Sequence, residues 1–306
     1  HASSDKTSQL NRILRTKLAA HQFDVIFVHN MGAFYPALCF SNQNSKLIVD
    51  IEDYHPGEIA YFNRKHERGN RVLLMAAIFH KANHVTYASP LIMKACLQKF
   101  QQIKSLESKS TIIHNSFCQN EFQLKHQTAK KVKFVWFSQN IAQGRGLEEI
   151  IEAMKRYANQ IELNLVGNIS QEFEQHYIQD QSDFIKIHSP KPQLELNLFL
   201  AEFDIGLALE IKSSDYNRQI CLTNKIWAYF QSGLYIFATN TPAQQQFLAN
   251  EPLHGVLVKQ DIKEMQNTIQ YILDNISRIR DHKNDRYQNA KRYCWEKEFE
   301  KLQQLI

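Results

Sequence analysis

Short runs of apolar, often β-branched residues alternate along the chain with stretches of helical spacing, and this alternation predicts ten strands. The predicted strands are DVIFVH (24–29), KLIVDI (46–51), HVTYA (84–88), STIIH (110–114), KFVWF (133–137), IELNLV (161–166), FIKIH (184–188), DIGLAL (204–209), LYIFAT (234–239) and GVLV (255–258). We expect helices in the intervals, including a long helix over 58–81. Such alternation is typical of parallel sheets with helices on both faces.

A polar stretch at 119–133 divides the strands into a set of four and a set of six, and it predicts a domain boundary. We therefore predict an α/β protein with two Rossmann-like, doubly wound parallel-sheet domains, 1–125 and 126–285. Residues 286–306 predict a terminal helix, with Trp295 and Phe299 on one face, that packs back on the first domain. The chain enters on a predicted helix, so we expect further strands upstream. The apolar face of that helix consists of Leu10, Ile13, Leu14 and Leu18.

The composition of the 306 residues is that of an ordinary globular protein, with 43% hydrophobic and 22% charged residues. A net charge of +5 is too weak to indicate nucleic-acid binding. It suits a phosphate-bearing or acidic-membrane partner, and equally a surface with no such role. The five cysteines form no CxxC pattern, which indicates reduced thiols and a cytoplasmic protein. We see neither a signal peptide nor an apolar run of the ~18–20 residues that a membrane span needs.

The stretch FSQNIAQGRGLEEIIEA, at 137–153, has the properties of an anion site. It joins a predicted strand to a predicted helix through Gly144, Arg145 and Gly146. The first turn of a helix leaves backbone N–H groups without partners, and glycines let a ligand approach the backbone closely. Arg145 adds a planar fork suited to phosphate. The alternative is a turn that binds nothing, since the stretch is neither GxGxxG nor a P-loop.

The carboxyl ends of the strands predict where other ligand contacts lie, because ligands of doubly wound sheets bind there. In the first domain these positions are His29, Asn30, Asp53, Tyr54 and His55. In the second domain they are Ser138, Gln139, Asn140, Gly167, His188 and Glu210. His55 precedes Pro56 and Gly57, which predicts a tight turn.

Lys225 stands out among the lysines because it falls in the first turn of a predicted helix. Thr223 or Asn224 can cap that helix, and a cation in its first turn is unfavourable unless an anion is present. The alternative is a solvated surface lysine. We predict no metal site: His80 and His84 have a zinc-like spacing without a third ligand, and 50–53 is not a DxD motif.

Taken in order, these segments resemble retaining glycosyltransferases of the GT-B fold, in the family-4-like group of sugar-nucleotide-dependent enzymes that build bacterial surface polysaccharides. The resemblance runs over most of the chain. It rests on the segments FDVIFVHN, HVTYASPLIMKACLQKF, TIIHNSFCQNEF, FVWFSQNIAQGRGLEEIIEAM, FDIGLALE, TNKIWAYFQSGLYIFATNTP and RYCWEKEFEKL. Their order and spacing carry the resemblance, since no one segment is diagnostic.

The resemblance implies a role for each candidate residue. Arg145 and Lys225 match the basic pair that neutralises the donor diphosphate without a metal or other cofactor, and His55 is expected near the transferred sugar or the acceptor. The implied donor-binding residues are Ser138, Gln139, Asn140, Gly144, Gly146, Gly167, His188, Glu210, Asn217, Thr223 and Asn224. The implied acceptor-side residues are His29, Asn30, Asp53 and Tyr54.

The chain departs from the family pattern at two places. Gln139, Asn140 and Ile141 stand where an arginine is usual, and Ala228 replaces the glutamate that grips ribose; Asn217 matches the family's other glutamate only loosely. The resemblance implies a nucleotide sugar and a saccharide acceptor as partners. It leaves open a peripheral association with the inner face of the membrane. It also leaves two other functions open, a non-catalytic nucleotide- or partner-binding protein and a sugar-nucleotide epimerase.

Overall fold

The computed structural model describes residues 21–40, 44–59, 66–179, 184–211 and 215–306. The predicted entry helix with Leu10, Ile13, Leu14 and Leu18 lies outside these residues. All ten predicted strands are present, and all pair in parallel in two sheets. No described helix has the length and apolar character needed to cross a bilayer.

The first sheet contains β1 (Val25–His29), β2 (Lys46–Ile51), β3 (His84–Tyr87) and β4 (Ser110–Ile112), in the order β1-β2-β3-β4. Its central strands are apolar on both faces, as strands buried on both sides must be. Leu47, Ile48 and Val49 of β2, for example, are at most 1% exposed. The helices that follow β1, β2 and β3 in the chain are α1 (Met31–Phe40), α2 (Glu67–Lys81) and α3 (Pro90–Lys99).

The second sheet has six strands in the order β10-β9-β8-β5-β6-β7. They are β5 (Val132–Ile141), β6 (Ile161–Ile169), β7 (Ile185–His188), β8 (Ile205–Ala208), β9 (Tyr235–Thr239) and β10 (Gly255–Val258). Since β5 and β8 are central neighbours, the segments that follow them leave the sheet side by side. The turn after β5 therefore lies beside the segment that follows β8.

Helices connect the strands of the second sheet and follow its last strand. They are α4 (Leu147–Met154), α5 (Gln171–Phe173), α6 (Gln193–Leu200), α7 (Tyr216–Ile220), α8 (Asn224–Gln231), α9 (Pro242–Asn250), α10 (Ile262–Asp274), α11 (Ile276–Asp281), α12 (Lys283–Ala290) and α13 (Trp295–Gln303). The apolar residues of α4 that have helical spacing, Leu147, Ile150, Ile151 and Met154, all face the core as predicted.

Several element bounds differ from the prediction, and the two largest differences are at α2 and β5. The helix predicted from residue 58 begins at Glu67, because a short 3-10 helix at His55–Gly57 precedes Glu58, whose backbone is extended. The strand predicted to end at Phe137 continues to Ile141, through a bulge between Phe137 and Asn140.

The chain forms two compact units, which do not follow one simple division of the sequence. Unit 1 contains the described residues of 1–114, 215–221 and 298–306, and unit 2 contains those of 115–214 and 222–297. Each unit has its own buried apolar cluster. The cluster in unit 1 includes Ile220, from the stretch 215–221. The boundaries 1–125, 126–285 and 286–306 stay a prediction.

Candidate functional site

The turn after β5 has the backbone geometry of a loop that requires glycine. Gly144 and Gly146 have φ values of 73° and 76°, in the left-handed region that residues with a Cβ rarely adopt. Gly146 is the N-cap residue of α4, so the unpaired N–H groups of the first helical turn follow it directly. Arg145, between the two glycines, is partly exposed. The turn therefore combines backbone donors with one fixed positive charge.

A carboxylate of the protein already contacts this turn. Glu148, in the first turn of α4, accepts a hydrogen bond from the backbone N–H of Gly144 at 2.5 Å. The contact fixes the turn and uses one of its donors. Glu148 was not among the predicted site residues. Its position four residues after Gly144 is the sequence signal, since a first-turn carboxylate commonly reaches back to a backbone N–H.

The turn packs against the segment that leaves β8. A Cβ atom on Gly146 would lie 3.2 Å from the Cβ of Leu209 and 4.0 Å from Ile211. Between those two residues lies Glu210, which is 6% exposed. The backbone N–H of Glu210 donates to Thr239 Oγ1 at 2.8 Å, and that hydroxyl donates back to the Glu210 carbonyl at 2.9 Å. The ends of β5, β8 and β9 are thus brought together within unit 2.

Lys225 also lies beyond the carboxyl ends of the strands, at the second position of α8, the helix between β8 and β9. Its Nζ atom lies 5.7 Å from the centre of the Trp136 ring, in a cation–π arrangement with a buried residue of β5. Thr223 is the N-cap residue of α8 but makes no side-chain capping bond, and Asn224 is exposed. Trp136 therefore links Lys225 to the strand that carries the Arg145 turn.

The bulge places Ser138, Gln139 and Asn140 within the end of β5 rather than after it. Gly167 of β6 makes the bulge possible, because a Cβ at this residue would lie 2.3 Å from the Ser138 carbonyl oxygen. Gln139 and Asn140 are exposed, and Asn140 is in register with Asn168. These polar side chains border the strand end that leads to the glycine turn.

His188 lies two strands away from β5, on β7. Its Nε2 atom is 2.7 Å from Asn164 Oδ1, and Asn164 donates in turn to Glu162 at 3.0 Å. Burial, followed by the charges of Lys191 and Lys186, lowers the pKa of His188. We infer a neutral imidazole whose Nε2–H donates to Asn164. The prediction did not include Asn164, because a buried asparagine inside an apolar strand has no local signature of function.

His29, Asp50 and Glu52 meet in unit 1 where β1 and β2 end. His29 Nδ1 is 2.8 Å from Asp50 Oδ2, and His29 Nε2 is 3.2 Å from Glu52 Oε2. Burial acts to lower the pKa of His29, but the hydrogen bond to Asp50 and the nearby carboxylates outweigh it, so the pKa is raised. Ligand atoms of these three residues lie within 4.8 Å of one another. With a carboxylate at each ring nitrogen, the cluster favours a protonated imidazolium. Asn30, which follows His29 in the chain, has a left-handed backbone with φ of 72°.

His55 is 9% exposed, on the 3-10 helix that ends at Gly57. Its Nδ1 atom is 3.1 Å from Glu58 Oε2, and its carbonyl accepts from Arg71 Nη1 at 3.0 Å. The buried Arg71 also forms ion pairs with Glu58 and Glu67, at 3.3 Å and 2.8 Å. Sequence reasoning missed this arginine, because its partners are distant in the sequence apart from Glu67, four residues before it.

Asn217 lies in unit 1, bound to two of the predicted acceptor-side residues. Its Oδ1 atom accepts from the Tyr54 backbone N–H at 2.6 Å, and its Nδ2 atom donates to Asp53 Oδ1 at 2.7 Å. Tyr54 is buried and packs edge-on against Tyr216, with ring centres 5.7 Å apart. Both ends of the Asn217 amide are therefore engaged by the loop after β2, and its donor-binding role stays a prediction.

No protein-family model and no curated protein sequence matches the chain. Solved structures do match it in fold. Sucrose-phosphate synthase from Thermosynechococcus elongatus aligns with 98% of this chain and 77% of its own, at a TM-score of 0.74 and 16% identity. HepE from Anabaena, solved in complex with UDP, aligns with 97% of this chain and 80% of its own, at a TM-score of 0.70 and 14% identity.

A third solved structure, TarM, aligns with 99% of this chain and 58% of its own, at a TM-score of 0.71 and 15% identity. Identities this low support the fold and nothing finer. The predicted fold class is confirmed: the chain is an α/β protein of the GT-B type, with two Rossmann-like parallel sheets.

Proposed function

We propose that the protein is a glycosyltransferase that transfers a sugar from a nucleotide-diphosphate sugar to a saccharide or glycoconjugate acceptor, with retention and without a metal. The proposal rests on the arrangement of two cations at the carboxyl ends of β5 and β8. Arg145 lies in a turn with two left-handed glycines, and Lys225 lies in the first turn of α8. A phosphate anion bound there would be stabilised by both cations and by the N-terminal ends of the two helices.

The proposed chemistry is electrostatic. A nucleoside diphosphate gains negative charge as the sugar leaves, and fixed cations with oriented N–H groups stabilise that charge in the transition state. In our proposal Arg145 and Lys225 supply the cations, and the turn from Gly144 to Gly146 supplies the backbone donors. The solved structures of similar fold agree with this choice of ligand, since HepE was solved with UDP and the pneumococcal O-GlcNAc transferase GtfA with UDP and GlcNAc.

We place the acceptor side in unit 1, on the loop after β2 and at the end of β1. His29, Asn30, Asp53, Tyr54 and His55 are the residues proposed for this role. Their carboxylates, imidazoles and backbone groups are of the kind that hydrogen-bond sugar hydroxyls. We further propose that the enzyme acts in the cytoplasm, at the inner face of the membrane where glycoconjugate acceptors are exposed.

Titration of the protein with nucleoside mono- and diphosphates tests the diphosphate contact. We expect Arg145→Ala and Lys225→Ala each to weaken diphosphate binding by about 1.5–3 kcal/mol, or roughly ten- to a hundredfold, because each removes one charge-assisted contact. Monophosphate binding should change less. Lys155→Ala is the matched control, since Lys155 follows the opposite end of α4 and pairs with Glu152. If both variants bind the diphosphate as the parent does, the phosphate assignment is wrong.

A non-catalytic nucleotide-binding protein is the second candidate, and Ala228 favours it. This residue is fully buried in α8, so the helix offers no carboxylate at that position to a ribose. A panel of sugar nucleotides separates the alternatives. Sugar transfer or slow donor hydrolysis supports the transferase, and binding without turnover supports the second candidate. Isomerisation of the sugar would instead indicate an epimerase.

A further inference from the structure

Two cysteines that are 176 positions apart in the sequence meet in unit 2. The backbone N–H of Trp295 donates to the carbonyl of Phe117 at 2.9 Å. This bond joins the peptide group between Phe117 and Cys118 to the peptide group between Cys294 and Trp295. The two cysteines therefore flank a single hydrogen bond, although nothing in their sequence spacing pairs them.

The backbone geometry limits how far apart the two cysteines can be. With planar trans peptides and standard bond lengths, Cα atoms that flank one such bond are about 4–6.5 Å apart. Disulfide-linked cysteines have Cα separations of roughly the same range. A disulfide between Cys118 and Cys294 therefore needs little movement of either backbone.

The side chains also share a neighbour. The Cys294 thiol is hydrogen-bonded to the Glu296 carboxylate, whose charge also acts on Cys118. The same carboxylate accepts from the Gln119 backbone N–H at 3.1 Å, so the two segments are held together on both sides of the cysteines. Burial, followed by Glu296, raises the pKa of the Cys118 thiol, and Glu121 and Cys294 add to the shift.

We propose that Cys118 and Cys294 form a reversible disulfide, as a redox modification site that fastens the segment after β4 to the segment before α13. Each cysteine lies within four residues of a point where the chain passes between the two units, at 114–115 and 297–298. The disulfide would therefore link two of the segments through which the chain passes from one unit to the other.

The reaction needs a two-electron oxidant, and a peroxide supplies it. The Cys118 thiolate, partly exposed while Cys294 is buried, attacks one peroxide oxygen and breaks the O–O bond, giving a sulfenic acid and hydroxide. The Cys294 sulfur then attacks the sulfenic sulfur, the S–S bond forms, and the hydroxyl leaves as water after taking the Cys294 proton. Both sulfurs are oxidised by one electron each, and the peroxide is reduced by two. A dithiol reverses the bond by exchange.

Thiol counting and peptide mapping of the full chain test the proposal. After treatment with hydrogen peroxide and denaturation, we expect alkylatable thiols to fall from the five in the sequence by two, and mapping to show the Cys118–Cys294 peptide. A dithiol should restore all of them. Because the parent protein carries this test, it does not depend on the folding of any variant. Five alkylatable thiols, a different cysteine pair, or oxidised Cys118 without a link would overturn the proposal.

Four variants sharpen the result. Cys118→Ser and Cys294→Ser should each abolish the linked Cys118–Cys294 peptide, whereas Cys39→Ser, at an exposed cysteine, should not. Glu296→Gln should speed disulfide formation several-fold at fixed pH, because it removes a charge that disfavours the thiolate.

Oxidation should also raise the unfolding temperature of the parent by several degrees but not that of Cys118→Ser, since a crosslink over a long loop restricts the unfolded chain. Equal shifts in both would count against the crosslink.

Discussion

At the scale of single residues, the histidines show how the surroundings decide what one side chain can do. His29 is held between two carboxylates and has a raised pKa. His188 donates to a buried asparagine and has a lowered pKa. His254 is fully buried against Phe230, and burial, with the charges of Arg286 and Arg292, lowers its pKa to about 3. The residue type alone predicts none of these differences.

His254 should make the protein acid-sensitive. The unfolded chain protonates this residue below about pH 6.5, but the folded chain resists protonation until about pH 3. The unfolded state therefore binds the extra proton between these values, and stability falls as the pH falls through that window. From pH 7 to pH 5 the loss attributable to His254 should be about 2 kcal/mol. Urea unfolding followed by tryptophan fluorescence measures it, since Trp136, Trp227 and Trp295 all belong to unit 2.

His254→Leu provides the comparison, because leucine cannot bind a proton. Asn289 Nδ2 lies 3.0 Å from His254 Nε2 and also donates to Glu251 at 2.8 Å, so the substitution leaves that amide with an acceptor. The variant should lose about 2 kcal/mol less than the parent between pH 7 and pH 5. Identical losses in the two proteins would contradict the assignment of a buried neutral histidine.

His55 should affect turnover more than donor binding. It lies after β2 in unit 1, on the loop that we propose for the acceptor side, with one ring nitrogen near Glu58. We expect His55→Ala to lower kcat at least tenfold with a suitable acceptor, as loss of a group near the reacting sugar does. Donor affinity should change less than twofold. Steady-state kinetics and titration with the donor separate the two effects, with the exposed His176→Ala as control. An unchanged kcat would remove His55 from the site.

At the scale of elements, the unit formed by β5, the glycine turn and α4 is where local sequence and tertiary contacts combine. Glycines at 144 and 146 both adopt a left-handed backbone, but only one is in a crowded position. A Cβ at Gly144 would meet nothing within 4 Å, whereas one at Gly146 would meet Leu209 at 3.2 Å. The first glycine is thus required by conformation alone, and the second by conformation and packing.

The two glycines should respond differently to alanine. Gly144→Ala should cost about 1–2 kcal/mol of stability, which is the penalty of a left-handed alanine. Gly146→Ala should cost a further 1–2 kcal/mol or so, because Leu209 or the turn must move. Urea unfolding of both variants, followed by tryptophan fluorescence, gives the comparison. Equal losses would show that the contact with Leu209 relaxes without cost.

At the scale of the whole molecule, unit 1 is assembled from three separate stretches of the chain. The stretch 298–306 contributes Glu298, which is 1% exposed. Its carboxylate accepts from the His114 backbone N–H at 2.9 Å and pairs with Lys301 at 2.7 Å. The end of the chain therefore stabilises the strand region that ends the first stretch.

Glu298→Gln should destabilise unit 1 by about 1–3 kcal/mol, because a buried charged acceptor is replaced by a neutral one. Hydrogen exchange measured by mass spectrometry should show faster exchange in peptides of β3 and β4. Peptides of β5 and β6, in unit 2, should keep the exchange rates of the parent. The exposed Gln304→Ala is the control. Faster exchange confined to β5 and β6 would contradict the assignment of this stretch to unit 1.

The sequence by itself determined the ten strands, the parallel α/β class and the glycine turn, because apolar runs, helical spacing and turn residues are local signals. Only the tertiary structure decided that Asn217 binds Tyr54, 163 residues earlier, or that a buried Arg71 supports His55. It also brought Cys118 beside Cys294. These contacts depend on which strand ends become neighbours when the sheets form, and hydrophobic periodicity carries no information about polar partners far away in the chain.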